Sequence, residues 1–89
     1  MNIYKKEIIE KLCYTDLVYG RIAKKLNIEL SRGNIENLIS TIIMETDDVN
    51  FQKIGKNIYI TNNEKGIRLT INSFTNRIIT ADKLNVILK

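Results

Sequence analysis

The hydrophobic spacing of this chain changes period at Val49, and that change constrains the fold more than any other feature. Before it, apolar residues recur every three or four positions, as on one face of a helix. After it they alternate, as on one face of a strand. Ile3, Ile8, Ile9 and Leu12 fall on one side of a first helix that ends near Cys13, while Lys5, Lys6, Glu10 and Lys11 stay wet. Thr15 is placed to cap a second helix, with Asp16 favourable in its first turn and Leu17, Val18, Ile22 and Leu26 as its apolar stripe. Gly20 inside that stripe costs about 1 kcal/mol relative to Ala and leaves room for close packing against another element. Asn27 to Leu30 is a connection, and Ser31 can cap a third helix. Ile35, Leu38, Ile39, Ile42 and Ile43 give that helix the best spacing in the chain. Glu45, Asp47 and Asp48 crowd its end, where carboxylates meet the negative pole of the helix dipole, so it stops there.

Beyond Val49, Phe51 to Ile54 reads as a first strand and Ile58 to Thr61 as a second, joined by a tight turn at Gly55, Lys56 and Asn57. Asn62 to Gly66 turns again. Ile67, Leu69 and Ile71 then alternate with Arg68, Thr70 and Asn72, the clearest half-buried strand here. Ser73 to Asn76 makes a third turn before a fourth strand from Arg77 to Ala81. Short connections favour an antiparallel meander. The expected fold is α+β, with about three N-terminal helices packed on one face of a four-stranded antiparallel sheet. Pro is absent and Gly sparse, so nothing divides the chain. Residues 1–89 read as a single domain with a helical part at 1–48, the sheet at 49–82 and an apolar tail at 83–89. That tail fits a short helix, an edge strand or a partner-binding end.

Charge is unevenly placed. Residues 1–48 sum to −1 and residues 49–89 to +5, so the strand-rich half holds the whole positive excess. Such asymmetry suggests an anionic partner, either nucleic acid or an acidic protein surface. The single cysteine, Cys13, forms no internal disulfide, and a small domain without disulfides fits a reducing compartment. No stretch has the continuous apolar core of a signal peptide or the roughly 20 apolar residues of a membrane span. The expected setting is cytoplasmic, without a membrane.

Few residues carry chemistry. Histidine is absent, which removes His-dependent triads and His-containing zinc sites. Asp47 and Asp48 are adjacent carboxylates with nothing convergent beside them, so no metal site is expected. Gly55 to Asn57 lacks the spacing and the following helix of a phosphate loop, and no cofactor motif is complete. Cys13, at the end of an apolar stripe, reads as a small core residue. The stronger candidate is the solvated sheet face. Alternation sets Tyr59 and Thr61 opposite Ile58 and Ile60, and Arg68, Thr70 and Asn72 opposite Leu69 and Ile71. These would form one patch with Lys53, Lys56 and Arg77 at its rim. Arg offers a planar fork to phosphate, Tyr a stacking platform, and Asn and Thr hydrogen bonds. A second basic group, Arg21, Lys24 and Lys25, shares one side of the second helix.

Two stretches carry a resemblance. LCYTDLVYGRIAKKLNI at residues 12–28, and KIGKNIYI followed by IRLTINSFTNRIITADK at residues 67–83, resemble a family of small bacterial proteins known only as a domain of unknown function. Its pattern is similar to LxTTxLGxxRIxxNL, then KGKNWYV and ITVNAxSYTIITAHK. Two departures stand out: the family pattern has His where this chain has Cys13 and Asp82. Helices followed by an antiparallel sheet also loosely resemble small ribonuclease toxins. That resemblance would leave Lys56, Tyr59, Arg68 and Arg77 to carry any catalysis.

Three readings follow. The first is a small cytoplasmic nucleic-acid-binding module, RNA before DNA, acting through a basic sheet face. The second is a protein-binding inhibitor or regulator, antitoxin-like or phage-encoded. The third is a degenerate ribonuclease. Catalysis is not the expectation in the first two, and an edge strand or the tail leaves room for a homodimer.

Overall fold

A computed structural model describes the backbone of residues 2–84 and the side chains of residues 5–84. Three helices come first: α1 (Asn2–Lys11), α2 (Asp16–Leu26) and α3 (Arg32–Glu45). A short 3₁₀ turn at Asp48–Asn50 leads into β1 (Phe51–Ile54), β2 (Asn57–Asn62), β3 (Ile67–Asn72) and β4 (Ile78–Lys83). The sheet order is β1-β2-β3-β4 with every pair antiparallel, so the chain is a meander under a helical layer. This is the α+β architecture expected from the change of period. Among the described residues no helix is long and apolar enough to cross a membrane.

The helices lie on one sheet face because β2 and β3 each present their apolar residues on one parity. Ile58, Ile60, Leu69, Ile71 and Ala81 point into the same core as Ile22, Ile35, Ile39, Ile42 and Ile43. Isoleucine dominates, and its stiff χ1 suits a core that must specify one packing. Burying each such side chain contributes roughly 1.5–3 kcal/mol. α2 packs on β4, α3 on β2, and α1 against α3.

Caps and turns fix the boundaries. Ser31 Oγ accepts from Asn34 N at 3.2 Å and starts α3. Thr15 occupies the N-cap of α2 without a side-chain cap bond. Thr46 ends α3 in extended conformation, and its hydroxyl donates to Ile42 O at 2.6 Å and accepts from Asn62 Nδ2 at 3.0 Å. That buried pair ties the end of α3 to β2. The strand turns need left-handed residues, supplied by Gly55 (φ 61), Gly66 (φ 67) and Asn76 (φ 60).

Four local expectations are corrected. Leu17 does not join the α2 stripe and is 83 % exposed. Val18, Ile22 and Leu26, four apart, already point at the core, and Leu17 sits 100° away, off the edge of the sheet. A Cβ at Gly20 would meet nothing within 4 Å, so that glycine serves no close packing. Cys13 is exposed rather than a core residue, because α1 stops at Lys11 and Cys13 forms a lone parallel bridge to Arg77. Lys83 closes β4 rather than opening a tail, and Leu84 N donates to Gly66 O at 2.8 Å. The rest of the expected tail, 85–89, lies outside the described residues.

Candidate functional site

Strand register decides which candidate side chains share a face. Across β2 and β3, Asn57 pairs with Asn72, Tyr59 with Thr70, and Thr61 with Arg68, all on the side away from the helices. Tyr59, Arg68, Thr70 and Asn72 are therefore brought together on one face. Thr70 is nevertheless only 8 % exposed, flanked by Tyr59 on one strand and Thr80 on the other. Asn57 Nδ2 donates to the Tyr59 hydroxyl at 3.2 Å, and Arg68 Nε donates to Thr61 Oγ1 at 3.4 Å. The charge of this face is the surprise. Arg68 stands opposite Asp82 in the register, yet the two form no ion pair among the described residues.

The remaining candidates lie elsewhere. Phe51 pairs with Ile60 and Lys53 with Ile58, so Lys53 projects on the helix side of β1. Lys56 is in the β1–β2 turn, and Arg77 precedes β4 beside Cys13. Arg21 and Arg77 line one groove between α2 and β4. Lys25 Nζ binds the Asp82 carboxylate at 2.9 Å, while Lys24 is exposed with no ion pair among the described residues.

A different basic site emerges where the β1–β2 and β3–β4 turns meet. Asn72 Oδ1 accepts from Phe74 N at 2.8 Å and Thr75 N at 3.1 Å, an Asx turn. Asn76 N donates to Asn72 O at 2.8 Å, and Ser73 donates twice to Lys56 O, at 2.7 Å from its amide and 2.9 Å from its hydroxyl. This rigid turn holds Phe74 with its side chain largely in solvent, 75 % exposed. Phe74 borders a concavity of about 440 Å³ with Glu7, Lys11, Lys53, Ser73 and Asn76. Neither Lys11 nor Lys53 has an ion pair among the described residues. Lys11 and Phe74 escaped the sequence reading; the signal for Phe74 was a large aromatic inside a four-residue turn opened by Asn.

The other end of the sheet is acidic. Glu45, Asp47 and Glu64 border one depression with Asn62 and Asn63. Lys5 and Lys65 partly compensate there, at 3.8 Å from Asp48 and 3.4 Å from Glu45. Charge is thus separated along the strand direction. A concavity of about 460 Å³ between α1 and α3 is apolar at Ile9 and Met44, but Lys6 shares it with Glu10 and Glu45 and it favours no anion.

One further cluster is structural. Tyr14 and Tyr19 stack with ring centroids 5.3 Å apart, Arg32 lies 4.6 Å from the Tyr19 ring centroid, and the Tyr19 hydroxyl donates to Glu36 at 2.5 Å. Burial, then the Glu36 carboxylate and Tyr19, push the Tyr14 phenol well above the usual tyrosine range. The bond to Glu36, then burial, raises Tyr19.

A family model described as "Protein of unknown function (DUF3781)" matches residues 6–82. The chain belongs to that family. No match was found among curated proteins or among solved structures. The DUF3781 span contains the Phe74 concavity, the outer sheet face and the Arg21–Arg77 groove alike.

Proposed function

We propose that this protein binds single-stranded RNA at the sheet end formed by its β1–β2 and β3–β4 turns. The observation that carries the reading is Phe74, 75 % exposed on a turn fixed by hydrogen bonds and beside Lys11 and Lys53, neither of which has an ion pair among the described residues. An exposed ring held rigidly offers a stacking surface to an unpaired base, worth about 1–3 kcal/mol. The lysines suit the flanking phosphates, and Lys56 in the adjoining turn adds a third cation. Ser73 and Asn76 supply polar groups at the rim. RNA comes before duplex DNA because unstacked bases, and not base-pair edges, suit a single aromatic platform. The one cysteine, Cys13, fits action in a reducing cytoplasm.

The test is a titration of labelled single-stranded RNA, single-stranded DNA, duplex RNA and duplex DNA over a salt series, with product integrity read on a gel. Single-stranded RNA is expected to bind best. For three lysine contacts, log affinity should fall against log salt with a slope of about −2. Phe74→Ala should weaken binding about tenfold or more, and Lys53→Glu should weaken it and flatten the slope. Absence of binding at low salt, or binding indifferent to both changes, overturns the reading. Specific cleavage of the RNA would favour a ribonuclease instead.

A further inference from the structure

The groove between α2 and the start of β4 has an unusual composition. Arg21 and Arg77 both line it, over a floor of Val18, Ile78 and Ile79, with the exposed Leu17 at its rim and a volume of about 240 Å³. No carboxylate lines it, and neither arginine takes part in an ion pair of the described residues. Two guanidinium groups without a counter-ion, set around apolar surface, are complementary to a short segment carrying carboxylates beside an apolar side chain.

This chain presents such a segment. In the 3₁₀ turn before β1, Val49 is 87 % exposed, more than any other large hydrophobic residue described. Asp47, two residues before it, is exposed and has no ion pair among the described residues, and Asp48 has only a 3.8 Å approach from Lys5. The turn cannot reach the groove of its own molecule. β1 and β4 are opposite edges of the sheet and run antiparallel, so their first residues lie at diagonally opposed corners.

We propose that a second copy of this chain docks its Asp47–Val49 turn into the Arg21–Arg77 groove of the first, so that copies associate head to tail. The contact is heterologous: each copy keeps one free groove and one free turn, and assembly continues unless a ring closes. This inference does not depend on RNA binding, because no residue that lines the groove also lines the Phe74 concavity.

Sedimentation velocity on the full chain tests it, over about 0.01 to 1 mM protein at about 50 and about 500 mM salt. Wild type should shift from monomer to dimer and larger species as concentration rises, and the shift should shrink at the higher salt. Two variants separate the partners: a groove variant, R21A with R77A, and a turn variant, D47A with V49S. All four residues are exposed, and circular dichroism verifies that both variants fold. Each variant alone should stay monomeric. Their equimolar mixture should give a dimer that grows no further, because it contains one intact groove and one intact turn. A wild type that stays monomeric throughout overturns the proposal, as does association that survives in either variant or a mixture that remains monomeric.

Discussion

Arg68 and Asp82 face each other across the β3–β4 ladder, and Lys25 reaches the same carboxylate from α2 at 2.9 Å. Lys25 takes up that carboxylate, and Arg68 forms no ion pair among the described residues, so the outer sheet face keeps one cation. Lys11, Lys53 and Lys56 likewise form no ion pair among the described residues, and Lys11 and Lys53 border the Phe74 concavity at the other end of the sheet. Arg68 is at the start of β3, the far end from the Phe74 turn, so Arg68→Ala should change RNA affinity by less than about twofold and stability by less than about 1 kcal/mol. The titration that reads Lys53→Glu checks this, and a tenfold loss for Arg68→Ala would move the contact onto the sheet face.

The Tyr14 hydroxyl is buried and has no hydrogen-bond partner among the described residues. Its folded pKa is raised, so the unfolded phenol ionises first as pH climbs. The stabilising contribution is complete below about pH 10 and is lost above it as the unfolded chain releases its proton. Urea unfolding at neutral pH and above about pH 10 should show that loss in wild type and a smaller one in Tyr14→Phe, where the raised Tyr19 still contributes. At neutral pH the same change should be neutral or stabilising by up to about 1 kcal/mol, since it removes an unpaired buried hydroxyl and keeps the stacked ring. Clear destabilisation would mean that the hydroxyl has a partner in solution.

Gly20 sits inside α2 with open space where a Cβ would stand. Gly20→Ala should raise stability by about 0.5–1 kcal/mol through helix propensity and a less flexible unfolded chain. Thermal unfolding followed by circular dichroism reads this as a rise in Tm of several degrees. An unchanged or lowered Tm would show that Gly20 packs against something in solution.

The helices and the meander were legible because their signals are local. The α3 stripe Ile35, Ile39, Ile42 and Ile43 repeats at the helical period, and all four are buried. Gly55, Gly66 and Asn76 mark turns by the backbone conformations they tolerate. The α2 stripe was legible except at its margin, where Leu17 has the right hydrophobicity but lies beyond the arc that the sheet covers.

The site was only partly legible, and β1 shows why. The run Phe51, Gln52, Lys53, Ile54 carries one apolar residue in each parity, so alternation alone cannot say which pair faces the helices. Pairing of Phe51 with Ile60 settles it: Lys53 goes to the helix side, and Ile54 is left 56 % exposed. The partner of Asp82 was equally hidden, because Lys25 is 57 residues away in sequence. By itself the sequence determined the element order, the antiparallel class of the sheet and the basic excess of the strand-rich half, since these follow from neighbouring residues and simple counts. Only the tertiary structure decided where that positive charge is free. Register parity and contacts between distant elements set Arg68 across from a carboxylate that Lys25 takes up, and bring Lys11 and Lys53 together beside Phe74.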